Sequence, residues 1–391
     1  MDLYLSRIQL KNWKNFSSVD ISLNRRSFLV GPNASGKSNF LDAVRFMHDI
    51  SKPGGGLENA LTNRGGLQRI RSLFARRDPQ VNITIELSDT KSDSIEWQYS
   101  LSLRLEKSGR HEVLIDFEQA VCRGETIFTR PDEIDKQDPL RLTQTFLEQI
   151  NTNKDFRDIY LFFKEVRYLH LIPQIIRQPE LFFNTTDPGG EDAFGFHFLE
   201  ILAKTTKKTL DSRLKRIENA LRSAVPNFKE LKLVKDDKGV PHLQAIYEHW
   251  RPNQAGKQKE DQFSDGTIRL IGILWSLLEK NELLLLEEPE LSLHPAVVEL
   301  LPDLFHQVMS SNREKKKQVI ISTHSPDLLA SDGLSPSEVL LFMPGNEGTD
   351  VRKVMDNDYA RELLRNGISM EEVVIPMTKP GNIDQLRLFN E

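Results

Sequence analysis

Glycines at positions 31 and 36, followed at once by Lys37 and Ser38, form a spacing that chemistry can use. In "GPNASGKSNF" Gly31 and Gly36 let the backbone curl until consecutive N–H groups face inward, a concave donor surface suited to phosphate. Asn33, Ser35 and Asn39 add polar groups around it. Lys37 would reach the outer phosphates of a nucleotide, and the Ser38 hydroxyl would face a divalent cation. Glu287 and Glu288 end the leucine run 283–286. One carboxylate there can hold Mg²⁺ while its neighbour orients or deprotonates an attacking water, the pairing that phosphoryl transfer needs. His324, in "VIISTHS", can bond a γ-phosphate or that water.

Each of these groups needs an element behind it. Phe28-Leu29-Val30 reads as a short buried strand, and the stretch from Ser38 to about His48 as a helix with Phe40, Leu41, Val44 and Met47 on one face. That helix aims its positive N-terminal end at the glycine loop. A helix from Ile268 to about Glu279, the strand "LLLL", a helix over about Pro295–Ser310 and the strand "VIIS" follow in the C-terminal part. Such alternation predicts parallel strands crossed by helices, which would bring His324 beside Glu288.

Elsewhere "LYLSRIQL", "VDISL" and the segments between Val81 and Arg130 alternate apolar and polar residues, predicting an antiparallel sheet beside the phosphate loop. From about Leu142 to Leu221 the period turns helical, with Leu210, Leu214, Ile217 and Leu221 on one stripe. Strands return in "ELKLVKDDKGVPHLQAIYEHW", where Asp-Lys-Gly supplies a hairpin turn, and "RPNQAGKQKEDQ", residues 251–262, reads as an exposed loop. The chain thus divides into an N-terminal nucleotide-binding lobe (1–140), a helical insertion (141–225) and a C-terminal lobe (226–391).

The 391 residues carry a formal net charge of −5, with 38% hydrophobic and 28% charged residues. That balance excludes wholesale coating of nucleic acid or an anionic membrane and leaves only local patches. Arg64, Arg69, Arg71, Arg76 and Arg77, with no acid among them, make one candidate patch. Lys207, Lys208, Arg213, Lys215, Arg216 and Arg222 make another, and solvated helix faces explain both equally well. The single cysteine, Cys122, excludes an intrachain disulfide and a cysteine metal cluster, and fits a reducing cytoplasm. "MDLYLSRIQLKNWKNF" lacks the order of a secretion signal, and no aliphatic run nears the ~20 residues that cross a bilayer. A cytoplasmic protein without membrane partners is expected.

Gly31–Ser38, "QFSDGTIRL", "EEPELSLHP" and "STHS" stand in the order and spacing of ABC-type ATPase heads, and the chain most resembles their RecF, OLD and SMC branch. "IQLKNWKNFSSVDISL" is similar to that branch's opening motif, and "FSDGT" stands where transporter subunits carry Leu-Ser-Gly-Gly-Gln. The resemblance covers the N-terminal stretch through the phosphate loop and most of residues 260–345. It implies an α/β fold, a P-loop NTPase of ABC-ATPase type with a mixed, largely parallel core sheet, an antiparallel β subdomain and a helical insertion. ATP and Mg²⁺ are the cofactors implied. By position, residues 31–38 become Walker A, Glu287 enters the metal shell, Glu288 is the catalytic carboxylate and His324 the switch histidine. Many relatives have Asp at the Glu287 position; the extra methylene lets this carboxylate reach Mg²⁺ through water.

The same resemblance makes Ser264, Asp265 and Gly266 the signature, which contacts the nucleotide held by the opposite subunit. Free N–H groups at the following helix suit an anion, although Ser-Asp-Gly alone is an ordinary turn and N-cap. Ser292-Leu293-His294 resembles the loop that crosses between subunits. A glutamine is expected at Mg²⁺; Gln174 is the candidate, with Gln68 and Gln178 as alternatives. In "KNWKNF", Lys14 and Asn15 suit nucleotide contact and Trp13 or Phe16 suits the base, while a strand with buried aromatics reads equally well.

Composite sites imply an ATP-dependent, head-to-tail homodimer. The helical stretch lacks the sustained heptads of an SMC-type arm, and Asp356-Asn-Asp358 is too little to indicate an OLD-type nuclease domain. The resemblance therefore implies a compact ATPase of DNA maintenance or phage defence, its expected partners being duplex DNA and a separate nuclease or toxin effector. Two readings of other kinds compete: an ATP-binding subunit of a membrane transporter, and a non-hydrolysing ATP-gated scaffold.

Overall fold

A strand buried along its length must be covered on both faces, and three neighbouring strands at the centre of this chain meet that description, two buried at every residue and the third at all but its last. The computed structural model describes residues 2–75, 79–106, 112–182, 192–248, 256–311 and 317–379. Along the chain the strands are β1 (Leu3–Trp13), β2 (Phe16–Ser22), β3 (Arg26–Val30), β4 (Val81–Asp89), β5 (Ile95–Leu105), β6 (Val113–Cys122) and β7 (Glu125–Arg130). They continue as β8 (Val166–Leu169), β9 (Phe228–Lys235), β10 (Pro241–Tyr247), β11 (Gly256–Lys259), β12 (Leu283–Glu287), β13 (Gln318–Thr323), β14 (Val339–Gly345) and β15 (Gly348–Lys353).

The core sheet runs β15-β14-β3-β13-β12-β8 and is parallel except for β15. Its side chains alternate between two cores, as the pleat requires. Leu29, Leu283, Leu285 and Ile320 join one core with the helix Lys37–Ser51 and the antiparallel sheet β2-β1-β4-β5-β6-β7. Phe28, Val30, Leu284, Leu286 and Ile321 join the other with the helix Asp265–Leu278. The smaller sheet β11-β10-β9 packs beside the helix Lys207–Ala224. Gln318 ties the two large sheets together. Fully buried, it accepts from Leu5 N–H at 2.9 Å and donates to Leu5 O at 2.8 Å and Asn24 O at 3.0 Å.

The structure departs from sequence expectation at three places. Residues 256–259 are strand rather than loop, because β10 offers an unpaired edge whose backbone ladder accepts a polar sequence; residues 251–255 lie outside the described residues. The helix expected over 295–310 restarts at Leu301, since Pro302 can donate no N–H and fits only a first turn. The largely helical 141–225 stretch also supplies β8, an edge of the core sheet too short for its period to show.

Lys317 closes the far end of the Asp265–Leu278 helix, donating to Ser276 O at 2.6 Å and Glu279 O at 3.3 Å. Burial pushes its ammonium down to about 7 from 10.5. Between those values the unfolded chain holds a proton that the folded chain has released, so stability rises with pH across the window and the burden is full below it. Melting temperatures are expected to rise from pH 7 to 9 relative to a Lys317→Met variant; parallel pH profiles would contradict this.

Candidate functional site

Because β3, β12 and β13 are parallel neighbours, the residues after their C-terminal ends share one rim. After β3 the chain turns through residues 31–36 into the helix that Lys37 begins. Gly36 has φ 96°, and a Cβ there would stand 2.1 Å from Asn15 Nδ2; at Gly31 it would stand 2.5 Å from Phe342 O. Neither position admits a side chain. Asn15 pins the loop, donating to Ser35 O (3.1 Å) and Thr349 Oγ1 (2.7 Å) and accepting from Asn39 Nδ2 (2.8 Å). Asn33 is exposed; Ser35 is buried, its hydroxyl without a partner.

Lys37 Nζ folds back on the loop, donating to Gly31 O at 2.8 Å and Pro32 O at 2.9 Å. Burial lowers its ammonium, against the pull of Glu288, Glu290 and Glu287. Ser38 Oγ donates to Glu287 Oε1 at 2.5 Å. The other oxygen of Glu287 accepts from the Tyr168 hydroxyl. Glu288 adopts φ 44°, the left-handed region, where a non-glycine residue is held under strain. Its N–H donates to Ser322 O at 3.0 Å, and its Oε1 lies 3.2 Å from His324 Nδ1, so the expected neighbourhood of Glu288 and His324 forms.

Two residues of this rim escape the sequence reading. Glu290 Oε1 accepts from Thr323 Oγ1 (2.6 Å) and His324 N–H (3.2 Å), setting the backbone that carries His324. Burial pushes its carboxyl up, those bonds opposing. Its signal is local, the last glutamate of "EEPE". Tyr168 has no such signal, since only the pairing of β8 with β12 brings it to Glu287.

No ion or nucleotide is needed to judge the fit. Ser38 and Glu287 offer hard oxygens suited to Mg²⁺, and the orphaned Ser35 hydroxyl and curled backbone suit phosphate. Gln174 is not with them. It sits in the short Pro173–Arg177 helix beyond β8, where Nε2 donates to Asp265 Oδ2 at 3.1 Å while Arg177 pairs with the same carboxylate at 2.5 Å. The turn at Pro173 carries the glutamine to the signature side instead.

Ser264 caps the signature helix, its Oγ accepting from Thr267 N–H at 3.1 Å. A Cβ on Gly266 would stand 2.5 Å from Ser292 O, which packs this turn against residues 292–294. Trp13 and Phe16 are wholly buried and unavailable to a base. Trp13 donates to Asn39 O at 2.8 Å, and Phe16 packs on Phe342. Lys14 pairs with Asp42 at 2.6 Å. A cavity of about 600 Å³ opens instead between Lys14, Asn15, Asn39, Arg69, Arg71 and Phe74, with Gln68 also on its wall.

The basic patches are partly tied up by contacts within the chain. Arg64, its side chain 8% exposed, is held between Asp42 (2.9 Å) and Asp49 (2.8 Å), and Arg69 and Arg71 line the cavity just described. Arg76 and Arg77 lie outside the described residues. On the helix Lys207–Ala224, Arg213 stacks over Trp275, Lys215 and Arg222 bond Glu218 while staying exposed, and Lys207, Lys208 and Arg216 are exposed as well.

Comparison with known proteins shows the family and the fold. The family model described as "AAA domain, putative AbiEii toxin, Type IV TA system" matches residues 26–330. The DNA replication and repair protein RecF of Trichormus variabilis is 26% identical over 179 residues, 44% of this chain and 41% of that one. Endonuclease GajA of Bacillus cereus is 46% identical over 44 residues, 11% of this chain and 8% of its own. The chain thus spans less than half the length of these relatives. Among solved structures, an Smc head bound to the C-winged helix domain of ScpA superposes with a TM-score of 0.53 at 13% identity, covering 89% of this chain and 97% of the other, a likeness of fold. With the family model matched over most of its length, the chain belongs to this AAA-domain family, as an ABC-type ATPase of the RecF, OLD and SMC branch.

Proposed function

We propose that the chain hydrolyses ATP with Mg²⁺ in a head-to-tail dimer, as a switch for a separate effector in DNA maintenance or antiviral defence. The observation that carries this reading is the shared rim: Lys37, Ser38, Glu287, Glu288 and His324 converge there from three parallel strands. Ser38 and Glu287 would hold Mg²⁺, which when bound neutralises charge on the outer phosphates. Lys37 would exchange its two loop carbonyls for phosphate oxygens, Glu288 would take the proton of the attacking water, and His324 would orient that water or the γ-phosphate. The adenosine end would enter the cavity beside Asn15 and Arg71. Ser264 and Gly266, which within the chain contact Thr267 and Ser292, would complete the site of the partner subunit. Similarity to proteins named for DNA repair and for endonuclease activity, and a family description naming a toxin, support the wider role.

The test is steady-state ATP turnover against protein concentration, with and without linear duplex DNA at low salt. Turnover per chain that rises with concentration supports the dimer, and a further rise with DNA supports the DNA role. Concentration-independent turnover removes the composite site. A Ser264→Arg variant is expected to bind ATP normally, to lose about 1 kcal/mol with its helix cap, and to stay monomeric with ATP in size exclusion. A normal ATP-dependent dimer from that variant would refute the signature's role.

A further inference from the structure

Glu287 has one more methylene than an aspartate, and a longer carboxylate samples more positions unless something holds it. Here both of its oxygens are held, by hydroxyls from different elements. Ser38, at the start of the helix Lys37–Ser51, occupies Oε1 at 2.5 Å, and Tyr168, on β8, occupies the other. The parallel register explains the second contact. Tyr168 stands opposite Leu285, and Leu285 and Glu287 point to the same sheet face. On that face Arg45, from the same helix as Ser38, lies over the Tyr168 ring at 4.0 Å, its Nε buried without a hydrogen-bond partner. The phenol is therefore clamped between a guanidinium and the core. Burial, reinforced by the Glu287 charge, pushes its hydroxyl up.

We propose that Tyr168 is a positioning residue for the metal site, holding one oxygen of Glu287 so that the other is presented beside Ser38 to Mg²⁺. The assignment rests on the reading of Ser38 and Glu287 as the Mg²⁺ ligands. Ser38 and Oε1 would hold the cation, and the Tyr168 bond would support the carboxylate from its other oxygen. Such supports change metal affinity by about 10–100-fold when removed.

The experiment reads binding rather than turnover. Affinity for a fluorescent, non-hydrolysable ATP analogue is measured with Mg²⁺ and again with excess EDTA, and the ratio gives the gain that the metal confers. In Tyr168→Phe the gain is expected to fall about tenfold with the EDTA affinity unchanged. In a Glu287→Asp background the same substitution is expected to change the gain by less than about twofold, because the shorter carboxylate no longer reaches the phenol. An unchanged gain in Tyr168→Phe overturns the proposal. So does an equal loss in both backgrounds, which would mark a general effect of the ring's surroundings. Ser38→Ala separates the underlying reading from this one. If Ser38→Ala leaves the gain intact, the metal site is elsewhere and both fail; if it abolishes the gain while Tyr168→Phe does not, only the role of Tyr168 fails.

Discussion

Lys37→Ala is expected to weaken ATP binding by at least about 100-fold, the loss of roughly two charge-assisted hydrogen bonds at 1.5–3 kcal/mol each. The surroundings make this side chain hard to replace. Its ammonium is a buried cation that interacts with Glu288, Glu290 and Glu287, and it donates to two loop carbonyls. Without it a polyphosphate would meet three carboxylates with one buried cation fewer to offset them. Calorimetric titration of ATP checks the prediction, with a melting curve to confirm folding. Affinity within a few-fold of wild type would remove residues 31–38 as the phosphate site.

Glu288→Gln is expected to cut turnover by about 100- to 1,000-fold while leaving ATP affinity nearly intact, the range associated with losing a general base. Glutamine keeps the volume and the contact toward His324, which lies 3.2 Å from the carboxylate, but cannot accept the water's proton. An ATP-bound dimer should then persist in size exclusion. The outcome also separates enzyme from scaffold. If wild-type turnover is at background and the variant behaves identically, ATP acts only as a ligand.

Much of this site was legible in the sequence, and the reason is locality. The glycine loop, the leucine run ending in glutamates and the strand before His324 each declare themselves within a few residues, through turn chemistry and buried-strand composition. Their mutual placement followed from the parallel pairing that alternating strands and helices impose. What stayed hidden depends on partners distant in the chain. Tyr168 meets Glu287 across 119 positions, through a strand of four residues. Arg64 counts as a free charge in sequence, yet Asp42 and Asp49, 22 and 15 positions earlier, neutralise it in the fold. Trp13 and Phe16 look like stacking platforms because aromatic residues serve equally well as core, and the Phe46 and Phe342 rings that claim them could not be assigned from spacing. Gln174 shows the same limit: its type suits a metal, but the turn before it chooses Asp265.

The interleaving of the core sheet bears on how the protein is made. β3 lies between β13 and β14, so Arg26 waits for Val319, nearly three hundred residues further along, before its strand has a neighbour on that side. Emerging from the ribosome, the phosphate loop would be tethered to a strand with neither parallel partner yet synthesised. Contacts so remote in sequence slow folding, because the chain between them must be ordered first. Nascent chains halted before β13 should therefore fail to retain nucleotide and should expose Phe28, Leu29 and Val30 to chaperones, whereas full-length chains acquire nucleotide binding and protease resistance in one late step.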